Sequence, residues 1–348
     1  MISSDPRFLI VRLSAIGDCL ETLPVVHAIK DAYPKAWIGW IVDCGSDQLL
    51  RNQHGIDQVL RVKKGFLFRS SERRALLQQI RNWKIDVAID PQGLFKSSIL
   101  TWLSGAKMRI GFDAQGSREC AWWFYSHRVH SEHSHLVDRQ IDLLRPLKIE
   151  SPTIRFDFSV DRDADLESTR LLGSLGLMDR PYLAINPGAS TWLRRWPSER
   201  FKEVAERVFE AEGIPSLVIW GGREEEGLAD NIVNSSRHGC AIKAPSSTLQ
   251  QLAGWLKRAS VVVTGDTGPM HLAVALGTPV VGIFGPTLPS KSGPYGPAHI
   301  SLRNESETQV KILRKQKTNE SICKVTVEEV VAACLQQIRQ LRAVQQAS

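Results

Sequence analysis

Residues Val261 to Pro286 read VVVTGDTGPMHLAVALGTPVVGIFGP. The apolar run Val261–Val263 stops at Thr264-Gly265-Asp266-Thr267-Gly268. A small-residue helix begins near Pro269, and a second apolar strand runs from Pro279 to Phe284 before the turn Gly285-Pro286. This is a strand–turn–helix–strand unit of α/β type, with glycines where a backbone must approach something closely. A helix N-terminus behind such a turn offers unpaired N–H groups and a partial positive charge, which suits a phosphate. A tight β–α connection with no ligand has the same local spelling.

Working outward, the same alternation recurs. Apolar strands are expected at Phe8–Leu13, Ala36–Val42, Val87–Asp90, Tyr182–Asn186 and Ser216–Trp220. Helices are expected at Leu20–Ala32, Ser70–Trp83, Lys96–Ser104 and Ser198–Glu212. Repeated strand–helix units imply parallel, doubly wound sheets. At 348 residues the chain exceeds what one hydrophobic core usually supports, so two domains are expected. The stretch Pro146–Asp165 is poor in pattern and is read as holding the linker. The expected division is residues 1–160, residues 161–325, and a C-terminal helix and tail over 326–348, with Thr326 as N-cap and Glu328-Glu329 in its first turn. Two such domains are expected to face a cleft with the carboxyl ends of their strands, where ligands of these folds bind.

Composition excludes several classes. Hydrophobic content of 43% and charged content of 23% are ordinary for a soluble domain protein. No apolar run approaches the roughly 20 residues that cross a bilayer, and MISSDPRFLIVRLSAIGD has no signal-peptide core. The six cysteines form no CxxC pair, so neither a zinc site nor a disulfide framework is indicated. A cytoplasmic protein is expected. There is no GxxxxGK[ST] and no GxGxxG after the first strand, which argues against a P-loop NTPase or a dehydrogenase. The net charge of +7 is concentrated in places. From Arg61 to Lys84, eight cations (Arg61, Lys63, Lys64, Arg69, Arg73, Arg74, Arg81, Lys84) face the single acid Glu72, with Phe66-Leu67-Phe68 among them. That pattern suits an anionic membrane surface or anionic substrate, or a merely solvated helix face. No nucleic-acid recognition motif accompanies it.

Three further constellations sit at strand ends. Ser14-Ala15-Ile16-Gly17-Asp18 follows the first strand, and Asp18 is either a helix cap or a carboxylate available as general base. Asn186-Pro187-Gly188-Ala189-Ser190-Thr191, then Arg194-Arg195-Trp196-Pro197, reads as an anion-holding loop or as a surface loop with solvated arginines. Trp220-Gly221-Gly222-Arg223-Glu224-Glu225-Glu226 ends a strand and opens a helix with acids, which either complement the helix dipole or hold a ribose. Together they suggest a nucleotide-dependent transferase.

RLSAIGDCLETLP, NPGAS…RRWP and TGDTGPMHLAVALGTPVVGIFGPT, in this order, resemble glycosyltransferase family 9, the ADP-heptose:lipopolysaccharide heptosyltransferases. IDPQGLFKSSILTWLSGAKMRIGF further resembles the heptosyltransferase I branch, and the similarity runs from about Phe8 to Pro297. The resemblance implies a GT-B architecture of two Rossmann-like domains, the first for acceptor and the second for nucleotide-sugar. It implies inverting transfer of heptose from ADP-heptose to a Kdo residue of the lipid A inner core, without metal or other cofactor, by an enzyme peripheral to the inner membrane. Asp18 then falls on the catalytic base. Asp266, Thr267, Gly268 and His271 fall on the DTGxxH pattern that holds the ADP phosphates, and Ser190 on a phosphate-contacting hydroxyl. Arg194 stands where heptosyltransferase I commonly has Lys. Glu224 aligns with a ribose-contacting acid, with Glu225 as fallback, and Trp220 to Gly222 border the adenine. Lys63, Lys64, Arg69 and Arg73 are assigned to the acceptor, or to the membrane with Phe66–Phe68 dipping into it. The alternatives are another family 9 transferase with a different donor or acceptor, a GT-B nucleotide-sugar epimerase, and a non-catalytic nucleotide-binding protein.

Overall fold

The computed structural model describes residues 4–63, 65, 66, 69–306 and 318–347. The chain divides into two compact units, Met1–Ser159 and Val160–Ser348. In the first, β1 (Arg7–Val11), β2 (Trp37–Asp43), β3 (Gln58–Val62), β4 (Val87–Asp90), β5 (Met108–Phe112) and β6 (His127–Val129) form one sheet in the order β3-β2-β1-β4-β5-β6. Every neighbouring pair is parallel, with Phe8 beside both Ile38 and Val87. The central strands are apolar almost throughout because helices cover both faces of the sheet; Phe8, Leu9, Ile10 and Val11 are all buried.

The second unit repeats the plan. β7 (Leu183–Asn186), β8 (Ser216–Val218), β9 (Ala241–Lys243), β10 (Val261–Gly265), β11 (Val280–Ile283) and β12 (Ile300–Leu302) lie in the order β12-β11-β10-β7-β8-β9, all parallel. Numbered within each unit, both sheets have the order 3-2-1-4-5-6, that of dinucleotide-binding Rossmann folds. The helix Val327–Ala347 packs on this sheet through Val330, Ala333, Cys334 and Ile338. Its start is a capping box: Glu329 N–H donates to Thr326 Oγ1 (3.3 Å) and Thr326 N–H to Glu329 Oε2 (2.8 Å).

Local departures from the sequence reading have physical reasons. The expected helix Leu20–Ala32 is two helices, Ile16–Leu20 and Leu23–Ala32, and the second begins with Pro24 in its first turn, where proline is tolerated. Part of the stretch read as linker is a helix, Arg162–Ser174, whose buried Ser168 and Leu172 face the core. Phe66 does not dip outward: it is buried in the first unit's core with Leu76, Ile80 and Trp83. Burial there takes the ring's apolar surface out of water, a gain that an outward position in the aqueous loop would forgo. Lys64, Leu67 and Phe68 lie outside the described residues.

Candidate active site

In each sheet the strand order reverses between two neighbouring strands, and the loops that leave those strands part to form a crevice. In the first unit these are β1 and β4. Asp18 lies in the first helix after β1, where its Oδ2 accepts the Ala15 N–H at 3.1 Å and pairs with Arg12 Nη2 at 2.5 Å. The side chain is therefore a helix cap as well as a candidate base. Among the described residues both contacts fall on Oδ2, which leaves Oδ1 available to a substrate hydroxyl.

Arg12 is the unusual member. Its guanidinium is buried, and Nη1 donates to the Pro91 carbonyl after β4 at 2.9 Å, so one side chain ties the two loops together. The loop after β4 is itself fixed. Asp90 Oδ1 accepts the N–H groups of Gln92 (2.9 Å) and Gly93 (3.0 Å), and Oδ2 accepts the Tyr125 hydroxyl (2.7 Å). Burial pushes the Asp90 carboxyl up to about 6. Gln92 Oε1 then accepts the Leu13 N–H at 2.8 Å, a second tie between the β1 and β4 ends.

A cavity of about 370 Å³ opens here, lined among others by Arg12, Asp18, Gln92, Leu94, Arg118 and Arg139. The Arg118 N–H donates to the Gly93 carbonyl at 2.8 Å, and the Arg139 guanidinium lies over the Phe112 ring at 5.0 Å. Arg118 and Arg139 were not singled out by sequence reasoning; each is a lone cation in a loop or short helix, and only the fold brings them beside Asp18. The cations assigned to the acceptor are elsewhere. Lys63 and Arg69 pair with Glu72 (4.0 and 3.2 Å), and Arg73 lines a groove of about 440 Å³ along its own helix with Arg74 and Arg81. None of these lines the cavity that holds Asp18.

In the second unit the reversal falls between β7 and β10. Asn186 ends β7 opposite Thr264, and its Nδ2 donates to Thr264 Oγ1 and Thr267 Oγ1, both at 3.0 Å. That side chain locks the turn after β10, where Thr267 is the N-cap of the helix Gly268–Ala275. Asp266 is buried in the turn and pairs with Arg194 Nη1 at 3.1 Å, with His271 Nε2 at 3.9 Å. Arg194, Asp266, Thr267, Gly268 and His271 therefore form one cluster at a helix N-terminus, a ready anion site. Ser190 and Thr191 lie exposed in the adjoining loop.

The acids after β8 separate in role. Glu224 is exposed and pairs with Arg195 at 2.5 Å, and that guanidinium holds its carboxyl below the usual range. Glu225 turns inward, accepts the Gly221 N–H at 2.8 Å, and is pushed up by burial. A Cβ on Gly188 would stand 2.2 Å from the Glu225 carboxyl, so the NPGAS loop and the acid fit only because residue 188 is glycine. Trp220 Nε1 donates to the Ala244 carbonyl at 2.7 Å, which sets the ring at the edge of this group.

Two Rossmann-like units, one with a carboxylate in a cationic cavity and the other with an anion-ready helix N-terminus, are the parts of a GT-B glycosyltransferase. The family model for glycosyltransferase family 9 (heptosyltransferase) matches residues 73–323, and the chain belongs to that family. It is 28% identical to lipopolysaccharide heptosyltransferase 1 of Pseudomonas aeruginosa over 86% of this chain and 84% of that protein. It is 24% identical to lipooligosaccharide heptosyltransferase 2 of Haemophilus ducreyi, over 97% and 99% respectively. Among solved structures it is similar to the Escherichia coli heptosyltransferase WaaC with ADP (TM-score 0.78, 25% identity, 95% of this chain and 99% of that one). The fold is also that of a family 9 glycosyl transferase from Veillonella parvula (TM-score 0.86, 23% identity, 98% and 99%).

Proposed function

We propose that this enzyme transfers heptose from ADP-heptose, with inversion, to a Kdo residue of a lipid A inner core, with Asp18 as general base. The observation that carries the reading is the placement of Asp18 in one cavity with Arg12, Arg118 and Arg139. A base needs an acceptor hydroxyl beside it; with Arg12 engaged by Asp18 and Pro91, the Arg118 and Arg139 guanidinium groups suit an acceptor that carries carboxylate or phosphate. The likeness to relatives named heptosyltransferase 1 supports the first transfer onto the core rather than a later one.

In this mechanism Asp18 Oδ1 takes the acceptor proton as that oxygen attacks the anomeric carbon from the face opposite the leaving group. The departing ADP gathers negative charge on its phosphate, which the helix N-terminus at Thr267-Gly268 and the Arg194 guanidinium stabilise electrostatically. Asp266 holds Arg194 in place. Ser190 adds a hydroxyl to the phosphates, Trp220 borders the base, and Glu224 or Glu225 takes the ribose. The chemistry needs no metal, since fixed cations and backbone N–H groups carry the charge. The enzyme works at the cytoplasmic face of the inner membrane, where such an acceptor is held.

The test is ADP release from ADP-heptose with two acceptors, a Kdo-bearing lipid A and a core that already carries heptose. Turnover with the first alone is expected. Turnover with only the second would refute the assignment of the acceptor while leaving the donor chemistry standing.

A further inference from the structure

The helix Phe95–Leu103 turns three hydroxyls inward beside Leu100 and two aromatic rings outward. Ser97, Ser98 and Thr101 are fully buried, and their hydroxyls donate to the carbonyls of Leu94, Phe95 and Ser97, each at 2.9 Å. Phe95 and Trp102 point outward, 46% and 53% exposed. The 3-10 turn Ala121–Phe124 packs alongside: Phe124 has ring contacts with Phe95 (5.8 Å between ring centroids) and Trp102 (6.2 Å), and Trp123 of the same turn, edge-on to Trp122 at 5.5 Å, is 69% exposed. Phe95, Trp102 and Trp123 are thus exposed rings on two adjoining segments, and exposed apolar clustering of this kind marks an interaction site.

We propose that this face docks the first unit on an anionic lipid surface, an inference that deepens the reading of a lipid-borne acceptor and rests on it. Tryptophan is the residue of membrane–water interfaces, because its ring is apolar and its N–H seeks the headgroups. The rim carries cations: Arg109 Nε donates to the Phe124 carbonyl at 2.9 Å, and the Arg128 guanidinium lies 4.7 Å over the Trp122 ring and donates to the Trp122 carbonyl. The same face of the sheet carries the basic helix Ser70–Asn82, since Leu76 and Ile80 of that helix and Leu100 of this one share one core cluster. A second copy of the chain is the poorer occupant, because a two-fold contact would set this cationic rim against itself. Leu94, the N-cap of the aromatic helix, lines the cavity that holds Asp18, so docking here brings the cavity to the lipid surface.

The experiment compares the full-length wild type with the double variant Trp102→Gln/Trp123→Gln. Both side chains are more than half exposed, and an unchanged thermal-denaturation midpoint together with a wild-type far-ultraviolet circular dichroism spectrum verifies that the first unit folds. Co-sedimentation uses vesicles of phosphatidylglycerol and phosphatidylethanolamine, with brominated lipid to quench tryptophan fluorescence of the wild type directly. The variant is expected to bind vesicles about tenfold or more weakly and to lose the quenching, yet to turn over a deacylated, water-soluble Kdo acceptor at the wild-type rate. Unchanged vesicle binding and quenching overturn the proposal. A wild-type dimer that the variant dissolves, without any effect on vesicles, overturns it in favour of a second copy. Loss of vesicle binding in the variant, with no transfer to the soluble acceptor by either protein, upholds the docking surface and refutes the transfer reading.

Discussion

Replacing Asp18 by Ala separates two jobs that the carboxylate combines. As general base its loss costs about 10²- to 10⁴-fold in turnover, or about 3–5 kcal/mol of barrier. As structural partner its loss strands a buried group. The Arg12 side chain is only 6% exposed against 38% for Asp18, and Arg12 Nε already lacks a hydrogen-bond partner among the described residues. Removing Asp18 takes away the Nη2 partner too and leaves only the Pro91 carbonyl, at a cost of about 1.5–3 kcal/mol. Removing Arg12 instead, as Arg12→Met, frees a carboxylate that water reaches, so its cost is smaller. For a unit of this size, each kcal/mol shifts Tm by about 2–4 °C. The expected order of stability is wild type, then Arg12→Met, then Asp18→Ala, with the double variant recovering much of the deficit because no buried charge is left. Turnover should not recover with it. Thermal denaturation and ADP release measure the two quantities separately, and donor affinity by calorimetry should stay near wild type, since the proposed donor residues belong to the second unit. Wild-type turnover in Asp18→Ala, or rescue of turnover by the second substitution, would refute the base and leave Asp18 as a cap.

Three further outcomes are expected. Arg118→Gln and Arg139→Gln should each raise KM for the acceptor by about tenfold with little change in KM for ADP-heptose; an unchanged acceptor KM in steady-state kinetics removes both from the acceptor site. Gly188→Ala should displace Glu225 from the Gly221 N–H and weaken ADP binding, read by calorimetry; equal affinity means that this acid and loop lie away from the nucleotide. Asp90, raised to about 6 by burial, binds its proton more tightly folded than unfolded, so its stabilising contribution is full below about pH 4 and is lost as pH rises through 6. Asp90→Asn should flatten that part of the stability–pH curve, and an unaltered slope would assign it to another group.

What could be read from the sequence divides along physical lines. The central strands β1, β2, β4, β7, β10 and β11 are buried on both sides and spell continuous apolar runs, and each was located to within about two residues. The strands that escaped notice carry little such signal. Gln58–Val62 is half exposed and Met108–Phe112 opens with half-buried Met108 and Arg109, while His127–Val129, Ala241–Lys243 and Ile300–Leu302 have three residues each and sit at sheet edges. The candidate site was legible where it follows a buried strand, as with Asp18 and the Asp266–His271 group. Arg12 lies inside the expected first strand as a lone cation, and only the structure gives it a partner on each side. Phe66 was misread because a run of cations surrounds it, yet sequence neighbours do not determine burial. Likewise the aromatic face stayed hidden because its helix wears its hydroxyls inward, against the usual sign of helical patterning.

The tie between Arg12, Pro91 and Asp18 has a consequence for how such enzymes diversify. The proposed base is mounted on the sheet through the ends of two adjacent strands, whereas Arg118 stands on a loop and Arg139 on a short helix. On the proposed reading, substitutions in those outer segments reshape the acceptor site without disturbing the proposed base, because the two are held by different parts of the framework. A lineage can therefore exchange one sugar acceptor for another by remodelling a periphery, while the carboxylate inherits its position from the core.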